Sequence, residues 1–435
     1  MNTGRLTPAV SGVNLAGMTT TTLGPARFPS PQRRHVSDSA RIPSRIVREP
    51  TQEPEQHLEF ELAGPRAKIY FEPANVRAAI VTCGGLCPGL NNVIRSLFLE
   101  MYHCYGVKEV FGFREGYQGL DPVRGKEPVR LSCEYVDHIH RQGGTVLGTS
   151  RGPVDIPSAV ENLIQRRINV LFTIGGDGTQ RGANEIFLEA RRRGYELAVV
   201  GVPKTIDNDV AYVSRTFGFL TAIEEAAMVL DRAHIEAHSV HNGIALVKLM
   251  GREAGFIAAV ATVASQDVNF TLIPEVPFKL NGDGGFLPVL KERLVQRAHA
   301  LIVVAEGAGQ HLLEGIEEKD ASGNKKLQDF GVFLKGKIEA YFKDEQMPVT
   351  LRYIDPSYLI RSVAADAEDA VLCDLYARHA VHAAMAGKTG LVIGFLHDRF
   401  IHVPIDLIVK ERRRLSPESA TWHAVLACTG QPDFT

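Results

Sequence analysis

No stretch of this sequence is long and apolar enough to cross a bilayer. The longest uncharged apolar run, Phe256–Ala264, falls far short of the roughly 20 residues a membrane helix needs. Neither sign of charge is in excess. The formal net charge is -2, which disfavours nucleic acid and anionic membranes as global partners but leaves local basic residues able to bind small anions. Cysteine is sparse: six residues, at positions 83, 87, 104, 133, 373 and 428. Cys83 and Cys87 stand four apart with no second such pair, which argues against a zinc site. With no secretory signal beside them, reduced thiols in a cytoplasmic protein are expected. The glycine-rich stretch Gly175–Thr179 lacks the Gly-Lys-Ser/Thr ending of a P-loop.

What is present points to a folded enzyme. A chain of 435 residues is too long for one ordinary core and suggests two packed domains. An apolar share of 45% with 23% charged residues fits a globular chain rather than a disordered one. Residues 1 to about 55 are rich in Pro, Ser, Thr and Arg, which reads as a mobile extension. Its acid-poor first half raises the question of a transit peptide, against which stands the lack of an amphipathic Arg-rich helix.

From about residue 76 a regular alternation begins. Val76–Cys83 predicts a strand, and Pro88 is expected to open a helix with Leu90, Val93, Ile94, Leu97, Phe98 and Met101 on one face. Further strands are expected over 169–174, 197–202, 244–249, 300–305 and 391–395. Helices are expected over 180–193, 217–234, 254–265, 287–297, 331–342 and 364–385. Such alternation predicts an α/β fold with mainly parallel sheets covered by helices on both faces. Ligands of such sheets bind beyond the carboxyl ends of the strands. Chemistry-bearing residues do gather there: Gly84-Gly85, Gly175–Thr179, Pro203–Asp209, Met250–Arg252 and Glu306-Gly307 all follow expected strands.

Gly175-Gly176-Asp177-Gly178-Thr179 combines glycines, which let backbone amides approach a polyphosphate, with the start of a helix and a hard oxygen ligand suited to Mg²⁺. The plainer alternative is a tight turn with an Asp N-cap. In Pro203–Asp209, the two carboxylates Asp207 and Asp209 can divide labour. One takes a proton from an attacking hydroxyl while the other sits near metal or orients its partner. The alternative is a solvated acidic turn. Arg252 could neutralise a transferring phosphoryl group, and Arg352, Tyr358 and Arg361 could clamp a phosphomonoester. In isolation Arg252 also reads as an ordinary surface arginine, the Arg352–Arg361 cluster as a solvated loop, and Gly148–Gly152 with Arg151 as a turn with one cation. His138, His140, His379 and His382 read as surface or core residues.

Taken in order, Gly84–Asn91, Gly143–Gly152, Gly175–Thr179, Pro203–Asp209, Met250–Arg252, Glu306 and Tyr358–Arg361 resemble the 6-phosphofructokinase family over roughly residues 76 to 410. Leu23–Arg41 is similar to the upstream arm of its plant-type subgroup. The resemblance implies two Rossmann-like, doubly wound domains with the active site in the cleft between them. An extension over 1–75 would precede a nucleotide domain of residues 76–218 plus 361–410. A sugar-phosphate domain would span 219–360, and a tail 411–435. It implies transfer of phosphate from ATP, with Mg²⁺, to the C1 hydroxyl of fructose 6-phosphate. Asp207 would be the base, with Thr205, Ile206 and Asp209 shaping its pocket and Asp177 meeting Mg²⁺. Gly85, Arg151, Gly152, Gly176, Asp177, Gly178 and Thr179 would line the ATP site. Met250, Gly251, Arg252 and Glu306 would touch the sugar, and Arg352, Tyr358 and Arg361 would hold its 6-phosphate. The resemblance also implies a homodimer or homotetramer under allosteric control.

Certain positions depart from the bacterial ATP-using pattern. Gly243 stands where a neighbouring subunit's arginine is usual. Lys204 replaces glycine and resembles pyrophosphate-using members, whereas Gly178 replaces the Asp of those members and leaves room for the α-phosphate of ATP. That pairing resembles the plant-type ATP-dependent subgroup. The alternatives are a pyrophosphate-dependent enzyme, another GGDGT kinase such as one acting on NAD, and a non-catalytic subunit of the same fold.

Overall fold

A computed structural model describes residues 20–47, 58–313 and 327–434. The transit-peptide question therefore falls on residues 1–19, outside the described residues. Two sheets organise the chain. In the larger, the strands run in the order 41–43, 59–62, 399–404, 391–396, 198–203, 170–175, 77–82, 109–112 and 129–130. The five from Leu391–Leu396 to Glu109–Gly112 are parallel, and antiparallel strands flank them on both sides. The smaller sheet has four parallel strands in the order Phe270–Leu272, His299–Ala305, Gly243–Leu249 and Thr350–Ile354. Every residue of Val170–Gly175, Ala198–Pro203 and Gly243–Leu249 is buried. This is why those strands read as largely apolar runs, interrupted only by Thr173 and Lys248: helices cover both faces.

Helix boundaries differ from the sequence expectation at two informative places. The helix after Pro88 begins at Leu90, because Gly89 takes a left-handed conformation at the cap. The helix after the glycine motif begins at Asp177 rather than Gln180, with Gly176 as its N-cap. The motif is thus a direct strand-to-helix junction, not a loop. A Cβ on Gly175 would lie 2.1 Å from the Thr179 hydroxyl, so only glycine lets the first helical turn fold back onto the strand end.

The segment read as an N-terminal extension supplies Arg41–Pro43 and Glu59–Leu62 to the larger sheet, where Glu61 and Leu62 pair with His402 and Ile401. Buried charge reinforces this join. Glu61 contacts Arg66 at 2.7 Å and Lys388 at 2.5 Å, with His402 beside them. Residues 411–434, read as a tail, cross from one sheet to the other. The helix Ala420–Thr429 packs on Phe256–Ser265, and Phe434 is buried against Phe270 and Phe286.

Gly175→Ala is expected to lower stability by about 1–3 kcal/mol, as overpacking does. Gly178→Ala should show no such loss, because a Cβ there meets nothing within 4 Å. Denaturant unfolding of the two variants measures the difference.

Candidate active site

Strand register assembles the site. Gly175 pairs with Pro203, so the glycine junction and the acidic turn Lys204–Asp209 leave neighbouring strands side by side. In the other sheet Leu249 pairs with Ala305, which sets Met250-Gly251-Arg252 beside Glu306. Backbone bonds lock the two turns: Glu306 N donates to Leu249 O and Gly307 N to Gly251 O, both at 2.9 Å.

The acidic turn is rigidly wired. Thr205 Oγ1 donates to Asp209 Oδ1 at 3.0 Å and accepts from Asp207 N at 3.1 Å. Asn208 sits at φ 54, held by Thr216 N and by its own amide bond to Ser214 O. Ile206 is buried, so it anchors the turn from below. These bonds hold the two carboxylates in different settings. Burial raises the proton affinity of Asp207 above the ordinary carboxylate range, and the negative charges of Asp209 and Glu306 add to this. A hydrogen bond from the Arg252 backbone pulls the other way, so the second sheet's turn touches this carboxylate directly. Asp207 Oδ1 is buried with no hydrogen-bond partner, an acceptor left open. Burial also raises Asp209, with Asp177 adding to the shift and Thr205 opposing it.

Above the glycine junction, Gly176, Asp177, Gly178 and Thr179 form the first turn of a helix sixteen residues long, whose unpaired amides favour an anion. Tyr117 fixes the turn through a 2.6 Å bond to Thr179 O, and Gln180 ties it to Gly175 O. Space above Gly178 is open. Burial raises the Asp177 carboxyl, while Arg412 and Arg181 oppose that shift.

A third group gathers at Gly85. A Cβ there would lie 3.3 Å from Arg151 Nη2 and 3.4 Å from Arg361 Nη1. Below them the buried Lys204 donates through Nζ to Gly85 O. Burial lowers its proton affinity, and Arg151 and Arg361 lower it further. Three cations on one glycine turn make a strongly anion-seeking surface. Thr149 bonds Gly84 O at 2.6 Å and so holds the Gly148–Gly152 loop to it; Gly152 itself is exposed at φ 118.

Tyr358 and Arg361 stay together, with the guanidinium 4.6 Å from the ring centre and the phenol 74% exposed. Arg352 does not join them. It lies mid-strand, opposite Ala245, and pairs with Glu236 at 3.3 Å. Gly243 starts its strand, at the opposite end from Met250, and a Cβ there would meet Ala237 O at 2.0 Å. Six residues of strand separate it from the Met250 turn of its own chain.

Sequence reasoning missed Arg412. Its Nε lies 2.7 Å from Asp177 Oδ2 and its Nη1 3.3 Å from Glu253 Oε1. Arg413 N bonds Asp209 O at 2.9 Å, while its guanidinium reaches Asn208 O and Ser214 O. The only signal was the run Glu411-Arg412-Arg413-Arg414, which carries no spacing relation to partners some two hundred residues earlier.

Among the described residues no group of three or more His, Cys, Asp or Glu is placed to hold a metal. Asp177 is the acidic residue in the first turn of the helix, and its Oδ2 is held by Arg412.

A profile of the phosphofructokinase family matches residues 77–384. The chain belongs to that family. It is 48% identical over 380 residues to an ATP-dependent 6-phosphofructokinase of Borreliella burgdorferi, covering 86% of this chain and 85% of that one. It is also 48% identical over 372 residues to the chloroplastic ATP-dependent 6-phosphofructokinase 5 of Arabidopsis thaliana, covering 86% and 69% respectively. The structure resembles the pyrophosphate-dependent phosphofructokinase of Marinobacter aquaeolei with a TM-score of 0.68 at 19% identity, over 82% of this chain and 92% of that one. At that identity the likeness concerns the phosphofructokinase fold alone. No helix among the described residues is long and apolar enough to cross a membrane.

The raised proton affinity of Asp207 has a stability consequence. Its contribution to folding is intact below about pH 4, the ordinary unfolded-chain value, and is lost as pH rises through the raised folded value. Asp207→Asn is therefore expected to be more stable than the wild type at pH 8, by about 1 kcal/mol. The gap should close by pH 4 in thermal melts run across pH.

Proposed function

We propose that this chain is an ATP-dependent 6-phosphofructokinase, transferring the γ-phosphoryl group of ATP to the C1 hydroxyl of fructose 6-phosphate. The reading rests on one arrangement: a buried, proton-hungry carboxylate, Asp207, stands between the glycine junction of one sheet and the Arg252 turn of the other. A hydroxyl brought to the unpaired Asp207 Oδ1 gives up its proton there as it attacks in line. Thr205 and Asp209 keep the base aimed, and Met250, Gly251, Arg252 and Glu306 bound the sugar side. Arg252 meets the charge on the transferring group. Gly85, Arg151, Gly152 and the Gly176–Thr179 turn receive the donor phosphates. Tyr358 and Arg361 take the 6-phosphate, while Arg352, in mid-strand and paired with Glu236, stands apart from them. Asp177 would hold a Mg²⁺ ion, which when bound would neutralise charge on the donor phosphates. A cytoplasmic homodimer or homotetramer with allosteric control completes the proposal.

Lys204 is the one observation that favours pyrophosphate, since a buried ammonium under Gly85 suits a small donor. Gly178 weighs against it: the open space there accepts the α-phosphate of a nucleotide, and a carboxylate in its place would repel it. Supplied separately, ATP and not pyrophosphate should support turnover in a coupled aldolase assay. Gly178→Asp should lower kcat/KM for ATP by about 10²-fold, the cost of setting a charge against a phosphate in a low-dielectric site. Its folding should be unharmed. Turnover with pyrophosphate alone, or unchanged ATP use by Gly178→Asp, would contradict this account of donor choice.

Asp207→Asn is expected to lose about 10²–10⁴ in rate. In the wild type, kcat/KM should fall on the acid side at a pH above the ordinary carboxylate range, because the base must be ionised. Glu306→Gln removes one of the charges that raises Asp207, so it should move that limb to lower pH.

A further inference from the structure

The segment Arg412–Leu415 bridges the two sheets at the floor of the cleft, and its contacts are too specific for a linker. On the side of the larger sheet, Arg412 pairs in a β-bridge with Val210 and Arg413 N bonds Asp209 O. Toward the smaller sheet, Arg414 pairs with Glu253 at 3.2 Å, and Leu415 N donates to Glu275 at 2.9 Å. Glu275 in turn accepts from Gly255 N at the start of the helix Phe256–Ser265. The Arg413 guanidinium lies 4.5 Å from the Phe256 ring, and Leu415 is buried. These anchors deliver one side chain, Arg412, between two carboxylates. It touches Asp177 at 2.7 Å and Glu253 at 3.3 Å.

The geometry points to Arg412 as a positioning residue that acts as a resident counter-cation for the metal-binding carboxylate. This rests on the assignment of Asp177 to Mg²⁺ made above. A guanidinium and a divalent cation drawn to the same carboxylate repel each other, so each weakens the other's hold on Asp177. Arg412 holds Asp177 in place and neutralises it while the donor is absent. When the metal and donor phosphates arrive, Arg412 yields Asp177 and falls back on Glu253, the second carboxylate already within reach of the same side chain. Free Mg²⁺ then competes with a tethered arginine, whereas Mg²⁺ carried on phosphate brings extra binding energy of its own. The enzyme so built discriminates against the bare ion.

The experiment is titration of the nucleotide-free enzyme with MgCl₂ alone, read by calorimetry and by the rise in melting temperature with Mg²⁺. Arg412→Gln is expected to bind Mg²⁺ about tenfold more tightly than the wild type, the scale of one charge-assisted contact in a partly buried setting. Arg412→Lys should fall between the two, because an ammonium is a single-point partner without the guanidinium's fork. Glu253→Gln removes the fall-back site and leaves Arg412 wholly on Asp177, so Mg²⁺ should bind more weakly than to the wild type. This opposite sign keeps the test decisive if Arg412→Gln fails to fold. Mg²⁺ affinity unchanged in Arg412→Gln, or unchanged in Glu253→Gln, overturns the inference. Asp177→Asn separates it from the reading beneath: if that variant binds Mg²⁺ as the wild type does, the metal assignment itself falls. If Asp177→Asn loses Mg²⁺ while the Arg412 and Glu253 variants leave affinity untouched, only the counter-cation role is lost.

Discussion

Parallel pairing of Val170–Gly175 with Ala198–Pro203 is the constraint on which the site depends. It fixes the end of one strand against the end of the next, so the helix N-terminus at Gly176 and the carboxylates of Lys204–Asp209 face the same cleft. The same logic operates in the smaller sheet, where Leu249 beside Ala305 sets Arg252 next to Glu306. The chemistry is carried by turns, but the turns are placed by buried strands whose register cannot slip without turning apolar side chains out of the core. Gln180 makes this coupling explicit, since its side-chain amide sits on the backbone of Gly175 where the two strands end.

Electrostatics then divide the labour among groups of like type. Asp177, Asp207 and Asp209 are all carboxylates within one small region, yet they differ in partners: an arginine for Asp177, a threonine hydroxyl for Asp209, an open acceptor for Asp207. The cations segregate as well, with Lys204, Arg151 and Arg361 around Gly85 and Arg412 on the acidic side. A substrate carrying several phosphates and one hydroxyl meets positive charge at one end and a proton acceptor at the other.

Much of this was legible in the sequence, for a physical reason. Strands buried on both faces announce themselves as short apolar runs, and parallel α/β sheets expose chemistry only after such runs. Gly175–Thr179, Pro203–Asp209 and Met250–Arg252 could therefore be picked out from position alone. The start of the helix at Asp177 was not legible, because it depends on Thr179 folding onto Gly175, a contact invisible to periodicity. Arg412 was hidden for a related reason: its partners Asp177 and Glu253 lie far back in the chain, and a basic triplet looks like any solvated surface run. Arg352 shows the converse. A shared motif placed it with Tyr358 and Arg361, but strand geometry points it to Glu236.

The strands Arg41–Pro43 and Glu59–Leu62 have one more consequence, which concerns synthesis. Glu59–Leu62 pairs with Arg41–Pro43 on one side and with Arg399–Pro404 on the other, and Glu61 finds its lysine only at Lys388. A nascent chain emerging from the ribosome therefore carries these two strands, paired only with each other, until Arg399–Pro404 has been made. The core strands from Arg77 to Pro203 can associate first, since they are near one another in sequence. Closure of the larger sheet waits for Arg399–Pro404, a long-range step that is slow by its topology. Chaperones would have most to protect at that late stage, when an acidic strand edge and its basic partners are made but not yet joined.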